Sequence, residues 1–130
     1  MDNILTQKYR LLLVEDNDVN RQMAKRLLER MGYDVEVACD GEEAVALLST
    51  TNYDLVLMDC QMPVMDGFEA TRAIRQQHNN TPIIAMTGNA MNGDKENCLA
   101  VGMNDYVMKP IDRMILSETI KKWLPDSTNR

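Results

Sequence analysis

Acidic, hydroxyl and basic side chains stand directly after four apolar runs of this chain. They are Glu15 and Asp16, then Asp59, Thr87 and Lys109. A carboxylate at the end of a buried strand is costly unless solvent, a metal ion or a partner charge meets it there. We therefore interpret Asp59, which ends the run 55–58, as the reactive group of the chain.

Three carboxylates at one edge of a sheet repel one another, and a hard divalent cation relieves that repulsion. A pair of such charges about 4 Å apart costs roughly 1 to 4 kcal/mol, depending on the local dielectric. Mg²⁺ prefers one or two carboxylates together with several waters. The sequence predicts Asp16 and Asp59 as direct ligands and Glu15 as a second, water-bridged one. The backbone carbonyl of Gln61 would complete the protein ligands.

Asp59 would then act both as metal ligand and as nucleophile. A carboxylate can attack a phosphoryl group to give an aspartyl phosphate. Lys109 would supply a positive charge to the phosphoryl oxygens, and the Thr87 hydroxyl would donate a hydrogen bond. The sequence thus offers an acidic nucleophile, an acidic metal site, one cation and one neutral donor.

The remaining chain predicts the elements that bring these residues together. Continuous apolar runs at 11–14, 55–58 and 83–86 predict strands buried on both faces of a parallel sheet, whereas the alternation at 35–37 predicts an edge strand. Helix patterns separate the strands. Predicted helix starts are Asp40, Asp66 and Asp112, and predicted helix ends are Gly32 and Gly102.

Five strands alternating with five helices predict an α/β domain with right-handed crossovers. We predict a flavodoxin-like (βα)5 fold, a doubly wound five-stranded parallel sheet in the order 2-1-3-4-5. The ligand site of such a sheet lies at the carboxyl ends of strands one and three. Residues 1–9 are interpreted as an N-terminal lead-in, 10–124 as the domain and 125–130 as a polar tail.

Composition limits the classes of function. The chain has 130 residues, which suits one domain, and 45% of them are apolar, enough for a core. A net charge of -6 disfavours a nucleic-acid surface. The three cysteines have no metal-ligand spacing, and their odd number disfavours a disulfide framework, which fits a reducing cytoplasm. No apolar run approaches the roughly 18 residues of a membrane span.

Four segments together resemble the response-regulator receiver domains of two-component phosphorelays. They are LLLVEDN (11–17), VLMDCQMPVMDGFEATRAIR (56–75), IIAMTGNA (83–90) and GMNDYVMKPI (102–111). The resemblance covers residues 10–124, and the segment 15–45 further resembles receivers attached to hybrid sensor histidine kinases.

The resemblance implies roles for individual residues. Asp59 would be the phosphoacceptor, and Glu15 and Asp16 the acidic pair that holds Mg²⁺, or Mn²⁺ in its place. Further implied roles are those of Thr87 as switch hydroxyl, Tyr106 as switch aromatic, Lys109 as phosphate-contacting lysine and Pro110 as a cis-proline. Family members tune dephosphorylation at the positions of Gln61 and Asn89. Gly88 departs from the alanine that many relatives have after the switch threonine.

The predicted function is that of a phosphorylation-controlled switch. A histidine kinase or a histidine phosphotransfer domain would donate to Asp59, in a step that the domain itself promotes along with the later dephosphorylation. The domain would touch neither nucleic acid nor membrane. It would lie in the cytoplasm, including the cytoplasmic part of a membrane-bound sensor kinase. A parent hybrid kinase is the first interpretation, and a stand-alone single-domain regulator is the alternative.

Other interpretations of the same residues remain open. A haloacid-dehalogenase-type phosphatase needs a second aspartate two residues after the nucleophile, where this chain has Gln61. The phosphate-binding motifs GxxxxGK[ST] and GxGxxG do not occur. An unphosphorylated binding module on the same fold is a further alternative. Asp59 alone could be a turn residue, and Asp18 is interpreted as a helix cap or dipole partner.

Overall fold

A computed structural model of the protein describes residues 9–62, 65–88 and 94–124. Five strands and five helices alternate along the chain. The strands are β1 (Arg10–Val14), β2 (Asp34–Ala38), β3 (Leu55–Asp59), β4 (Ile83–Thr87) and β5 (Asp105–Met108). The helices are α1 (Asp18–Arg30), α2 (Gly41–Thr50), α3 (Gly67–Gln76), α4 (Asp94–Val101) and α5 (Arg113–Trp123).

The strands form one parallel sheet in the order β2-β1-β3-β4-β5, as predicted. The register aligns Leu13 with Val37 on one side and with Leu57 on the other. β3 and β4 are buried along their whole length, because helices cover both faces of the sheet. The carboxyl ends of all five strands therefore meet at one edge, which we call the rim.

Two apolar clusters fill the two faces of the sheet. One lies under α2, α3 and α4 and takes alternate strand residues such as Leu12 and Val56. The other lies under α1 and α5 and takes the residues between them, such as Leu13 and Leu57. Side chains of successive strand residues point to opposite faces, so each central strand contributes to both clusters.

Short polar side chains start the helices. Asp40, Asp66 and Asp112 accept hydrogen bonds from backbone N–H groups of the first turns of α2, α3 and α5, as predicted. Asp66 and Glu69 complete a reciprocal capping box. At α1 the cap is Asn17 rather than Asp18, which lies in the first turn and pairs with Arg21.

Two side chains, those of Arg75 and Trp123, join elements away from the rim by hydrogen bonds. The Arg75 guanidinium on α3 donates to the carbonyls of Gly102, Asn79 and Thr81 and to the side chain of Asn104, at 2.8 to 2.9 Å. At the far end of β5, Trp123 Nε1 donates to Asp105 Oδ2 at 2.9 Å. Within the described part of the chain, no helix is long and apolar enough to cross a membrane.

Candidate functional site

Asp59 is the last residue of β3 and its side chain is only 2% exposed. One further hydrogen bond joins the chain to β4 just past the strand, from the Cys60 amide to the Met86 carbonyl at 3.0 Å. The first turn of α3 then returns against the strand end. A Cβ added at Gly67 would lie 2.5 Å from the Asp59 carbonyl oxygen, so only glycine allows this approach.

Lys109 supplies the positive charge beside that carboxylate. Its Nζ lies 2.9 Å from Asp59 Oδ1 and 3.8 Å from Glu15 Oε1. Its backbone N–H donates to the Thr87 carbonyl at 2.8 Å, which ties the residue to the end of β4. Burial lowers the pKa of Lys109, but the hydrogen bond and charge of Asp59 and the charge of Glu15 outweigh it, so the pKa is raised.

Glu15, Asp16 and Asp59 form an acidic group at the rim. One carboxylate oxygen from each lies within 4.8 Å of the others. Glu15 is buried whereas Asp16 is exposed. Burial raises the pKa of Glu15 to about 7 and the charge of Asp59 adds to the rise, against the lowering effects of the Asn17 N–H and Lys109. The crowding of negative charge expected from the sequence is thus present.

The acidic group has the donor chemistry that suits Mg²⁺. Its donors are hard carboxylate oxygens, and the exposed Asp16 leaves one side open to the waters that this ion retains. The Gln61 N–H donates to Asp59 Oδ1 at 3.1 Å, so the Gln61 backbone lies beside the carboxylate. Its carbonyl as a ligand stays a prediction.

Thr87 and Tyr106 lie on neighbouring strands. Thr87 ends β4 and is buried, and Tyr106 is half-buried on β5, where it pairs with Ala85. Ala85 and Tyr106 both belong to the cluster under α2, α3 and α4. Thr87 is two residues beyond Ala85, so its side chain is on the same face of the sheet as Tyr106.

Three further predicted positions are Pro110, Gly88 and Asn89. The Lys109–Pro110 peptide bond is cis, as the resemblance implied. Gly88 is exposed, and a Cβ added there would meet no atom of the described residues within 4 Å. Asn89 lies outside the described residues.

Two residues that support the backbone at Glu15 and Asp16 were not identified from the sequence. The Arg21 guanidinium donates to the carbonyl of Glu15 at 3.0 Å and to that of Asp16 at 3.4 Å, and it pairs with Asp18. The Asn17 N–H donates to Glu15 Oε2 at 3.2 Å. The sequence does place Arg21 one turn inside the helix that follows Glu15 and Asp16. Whether its guanidinium contacts their carbonyls depends on the orientation of that helix, which the sequence pattern does not give.

Comparison with known proteins gives the family. The model of the response regulator receiver domain matches residues 11–121. The chain belongs to this family. It is a receiver domain of the two-component phosphorelay type, with the fold that the sequence predicted.

Curated proteins similar to this chain are much longer than the receiver domain. Hybrid signal transduction histidine kinase B of Dictyostelium discoideum is 47% identical over 129 residues, which cover 88% of this chain and 7% of that protein. A transcription factor of Saccharomyces cerevisiae is 44% identical over 122 residues, covering 94% of this chain and 20% of its own. The chain therefore matches a small part of each relative.

Solved receiver domains match almost the whole chain. The receiver domain of a Pseudomonas aeruginosa sensor histidine kinase, solved with a magnesium ion coordinated in its active-site cleft, is 47% identical with a TM-score of 0.84. The match covers 90% of this chain and 98% of that one. The receiver domain of a yeast response regulator, solved with a histidine phosphotransfer protein, is 32% identical with a TM-score of 0.83. That match covers 89% and 88% of the two chains.

Proposed function

We propose that Asp59 accepts a phosphoryl group from a phosphohistidine of a partner protein, in a step that depends on Mg²⁺. The observation that carries the proposal is the environment of Asp59. It is a buried carboxylate at the rim, with the Lys109 ammonium 2.9 Å away and the carboxylates of Glu15 and Asp16 within 4.8 Å. A carboxylate so placed can serve as a nucleophile that forms a covalent intermediate.

In the proposed transfer, a bond forms between an Asp59 carboxylate oxygen and phosphorus as the bond from phosphorus to the donor histidine nitrogen breaks. That nitrogen keeps the electron pair and takes up a proton. The Lys109 ammonium stabilises the negative charge on the phosphoryl oxygens, and the Thr87 hydroxyl donates a hydrogen bond to one of them. The chain's own contribution is therefore positioning and charge.

Glu15, Asp16, Asp59 and the Gln61 carbonyl would hold the metal ion. When bound, Mg²⁺ neutralises the negative charges that these carboxylates and the phosphoryl group bring together. The support is the group of oxygen donors at the open rim and the magnesium ion in the related receiver. Mn²⁺ prefers the same donors, and we propose that it can replace Mg²⁺.

The change in the partner-binding surface would follow from the change in charge at Asp59 on phosphorylation. Phosphorylation replaces the single carboxylate charge by a phosphoryl group that carries roughly 1.5 to 2 negative charges and strong acceptor oxygens. We propose that these draw in the Thr87 hydroxyl and that Tyr106, on the same face of the sheet, follows as part of a two-state element. The surface around α4, β5 and α5 would then change for a partner. Residues at the positions of Gly88, Asn89 and Gln61 would tune the phosphate lifetime.

The test is direct phosphorylation by a small donor. The chain is incubated with acetyl phosphate or phosphoramidate and MgCl₂, and its intact mass is measured. We expect one phosphoryl adduct that is stable in acid, labile in base and lost when EDTA is present from the start. Asp59→Asn should abolish it, whereas Asp34→Asn, an exposed carboxylate at the other end of the sheet, should leave it unchanged. An adduct that persists in Asp59→Asn, or none in the wild type, would overturn the proposal.

The parent protein and its partners are also proposals. We propose a hybrid histidine kinase as parent and a histidine kinase or phosphotransfer domain as donor, acting in the cytoplasm, with a stand-alone regulator as the alternative. The support is the similarity to hybrid kinases and to a receiver solved with a phosphotransfer protein. Incubating the chain with a phosphorylated histidine phosphotransfer protein tests the donor class, and sequencing the adjoining coding region separates the two parents.

We propose 10–124 as the limits of the domain, with 1–9 as lead-in and 125–130 as tail. The family match over 11–121 and the buried Leu124 support these limits. Tyr9 already contacts the domain, because its carbonyl accepts from the Asp34 amide at 3.0 Å. Limited proteolysis should therefore leave a resistant core that starts close to Tyr9.

A further inference from the structure

Two cysteines lie side by side behind the phosphoacceptor strand. The Sγ atoms of Cys60 and Cys98 are 3.9 Å apart, and the side chains are 2% and 1% exposed. A disulfide bond is about 2.05 Å long, so the two sulfur atoms are thiols in contact rather than a bonded pair. Because they are 38 positions apart, the fold alone brings them together.

The pair links two functionally different elements. Cys60 directly follows Asp59, and its carbonyl accepts from the Gly67 amide. Cys98 lies in α4, which has only eight residues. The structure describes the side chains of α4 over 96–101. Among these, only that of Cys98 is buried. A bond between the sulfur atoms would therefore fasten α4 to the end of β3 at the point where that helix enters the core.

The surroundings favour thiol chemistry over metal binding. Both cysteines belong to the apolar cluster under α2, α3 and α4, beside Met62 and Met103. A structural zinc site needs four donors, usually Cys or His. Among the described residues, the acidic group at the rim is the only set of three or more His, Cys, Asp or Glu side chains that could hold an ion. Cys39, the third cysteine, is exposed and belongs to neither site.

We propose that Cys60 and Cys98 are a redox modification site that forms a reversible disulfide when hydrogen peroxide oxidises it. The thiolate of one cysteine attacks a peroxide oxygen, the O–O bond breaks and water leaves, which gives a sulfenic acid. The second thiolate attacks the sulfenic sulfur, the S–S bond forms and a second water leaves. Two thiols and one hydrogen peroxide thus give one disulfide and two waters. Disulfides of this transient kind are the ones found in reducing compartments.

Closing the bond requires the sulfur atoms to approach by about 1.9 Å. β3 is hydrogen-bonded to strands on both sides, whereas α4 is held by packing against α3 and β5. The displacement therefore falls on the Cys98 side chain and on α4. Because both thiols are buried, peroxide reaches them during local opening, and oxidation is slower than that of the exposed Cys39.

The first experiment identifies the bond. The reduced chain is treated with graded hydrogen peroxide, then denatured and blocked with N-ethylmaleimide, and intact and peptide masses are measured. We expect loss of two hydrogens, a Cys60–Cys98 cross-linked peptide and reversal by dithiothreitol. Cys39→Ser should retain the cross-link, and Cys98→Ser should lose it. Maleimide on both cysteines across the whole peroxide range, or a cross-link that contains Cys39 instead, would overturn the proposal. The wild-type peptide map decides this whether or not the variants fold.

The second experiment tests the coupling to α4 and rests on the proposed phosphorylation of Asp59. The half-life of the phosphoryl group is compared in the reduced and oxidised chain, with Cys98→Ser under peroxide as control. We expect the wild-type half-life to change by about fivefold or more on oxidation and that of the variant to stay constant. Equal half-lives in both wild-type forms would overturn the coupling. A chain that forms the disulfide but takes no phosphoryl group in either form would overturn only the phosphorylation.

Discussion

Lys109 is the side chain on which the charge balance of the rim depends. Its Nζ is 2.9 Å from Asp59 and 3.8 Å from Glu15, two buried carboxylates that repel each other. Arg21 holds the same loop by hydrogen bonds to backbone carbonyls rather than to the carboxylates of Glu15 and Asp16. Among the described residues, Lys109 is therefore the ammonium group that pairs with the rim carboxylates.

Replacing that ammonium should destabilise the metal-free protein. For Lys109→Met we expect the free energy of unfolding to fall by roughly 1 to 3 kcal/mol in EDTA, because two buried carboxylates lose their counter-charge. Saturating Mg²⁺ should restore part of the loss. Urea unfolding followed by circular dichroism measures both effects.

The control for Lys109→Met is Lys25→Met, which breaks the exposed helical pair with Glu29. We expect that change to cost less than about 1 kcal/mol and to be insensitive to Mg²⁺. Equal losses in the two variants would show that the position of the charge at the rim does not matter.

The sequence could predict Asp59, Glu15 and Lys109 at one rim because strand ends of a parallel sheet meet by topology alone. It could not predict the approach of Cys60 to Cys98, since that depends on how α4 is rotated and how far it lies from the sheet. The bonds from Arg21 to the Glu15 and Asp16 carbonyls were missed for the same reason. Residues within strands are fixed by register, whereas residues on helices need packing information.

At the scale of elements, the first turn of α3 rests directly on the end of β3. An added Cβ at Gly67 would lie 2.5 Å from the Asp59 carbonyl oxygen and 3.0 Å from Met58 Cγ. The capping box of Asp66 and Glu69 fixes the start of the same helix. The position of Asp59 is thus coupled to where α3 begins.

Gly67→Ala should separate these two elements. We expect a loss of roughly 1 to 3 kcal/mol in stability, because backbone atoms must shift to admit the methyl group. Mg²⁺ affinity, measured by calorimetry, should fall as well, since Asp59 moves with the strand end.

Gly88→Ala is the matched control for Gly67→Ala, because in the described ranges no atom lies within 4 Å of the added Cβ. We expect a stability change within about 0.5 kcal/mol and unchanged Mg²⁺ affinity. If Gly67→Ala behaved like this control, the close packing of α3 on β3 would not be what positions Asp59.

The helix ends illustrate a limit of sequence patterns. α3 ends at Gln76, and the left-handed residue that follows its cap Gln77 is His78, with φ of 62°, not a glycine. His78 N–H donates to the Arg75 carbonyl, and the Arg75 side chain ties the next loop to its neighbours. Tertiary hydrogen bonds here stabilise a conformation that the local sequence does not favour.

Arg75 joins three segments, and its replacement tests that role. In Arg75→Lys a single ammonium cannot satisfy the acceptors on Asn79, Thr81, Gly102 and Asn104, so partly buried acceptors lose partners. We expect a loss of about 2 kcal/mol in urea unfolding. Arg72→Lys, an exposed change on the same helix, should be nearly neutral. If Arg75→Lys left the free energy of unfolding unchanged, Arg75 would not be what joins the three segments.

For the molecule as a whole, a metal ion that binds only the folded state must stabilise it. At a free Mg²⁺ concentration tenfold above its Kd, linkage predicts a gain of about 1.4 kcal/mol in the free energy of unfolding. EDTA should remove the gain, and Asp16→Asn should reduce it by weakening the site. A gain of the same size in Asp16→Asn would place the stabilising ion elsewhere. The measurement is urea unfolding across an Mg²⁺ titration.

The overall topology was predictable because the apolar character of each strand reports its place in the sheet. β1, β3 and β4 are continuous apolar runs and lie in the middle, while the alternating β2 lies at an edge. No such pattern marks the apolar groove of about 680 Å³ between α1 and α5, whose lining includes Met23, Ile111 and Leu116. A groove depends on how two helices pack against each other, and the apolar pattern of one helix does not describe that packing.

Trp123 gives this domain an optical reporter of its own. It is the sole tryptophan of the chain, and its indole N–H donates to Asp105 at the start of β5. Lys109 follows the opposite end of that strand, about 13 Å away along four residues. A shift in indole emission on phosphorylation would therefore record movement carried along β5 and α5 rather than the new charge itself. The emission of Trp123, near the start of β5, can thus report on events at the rim without any attached dye.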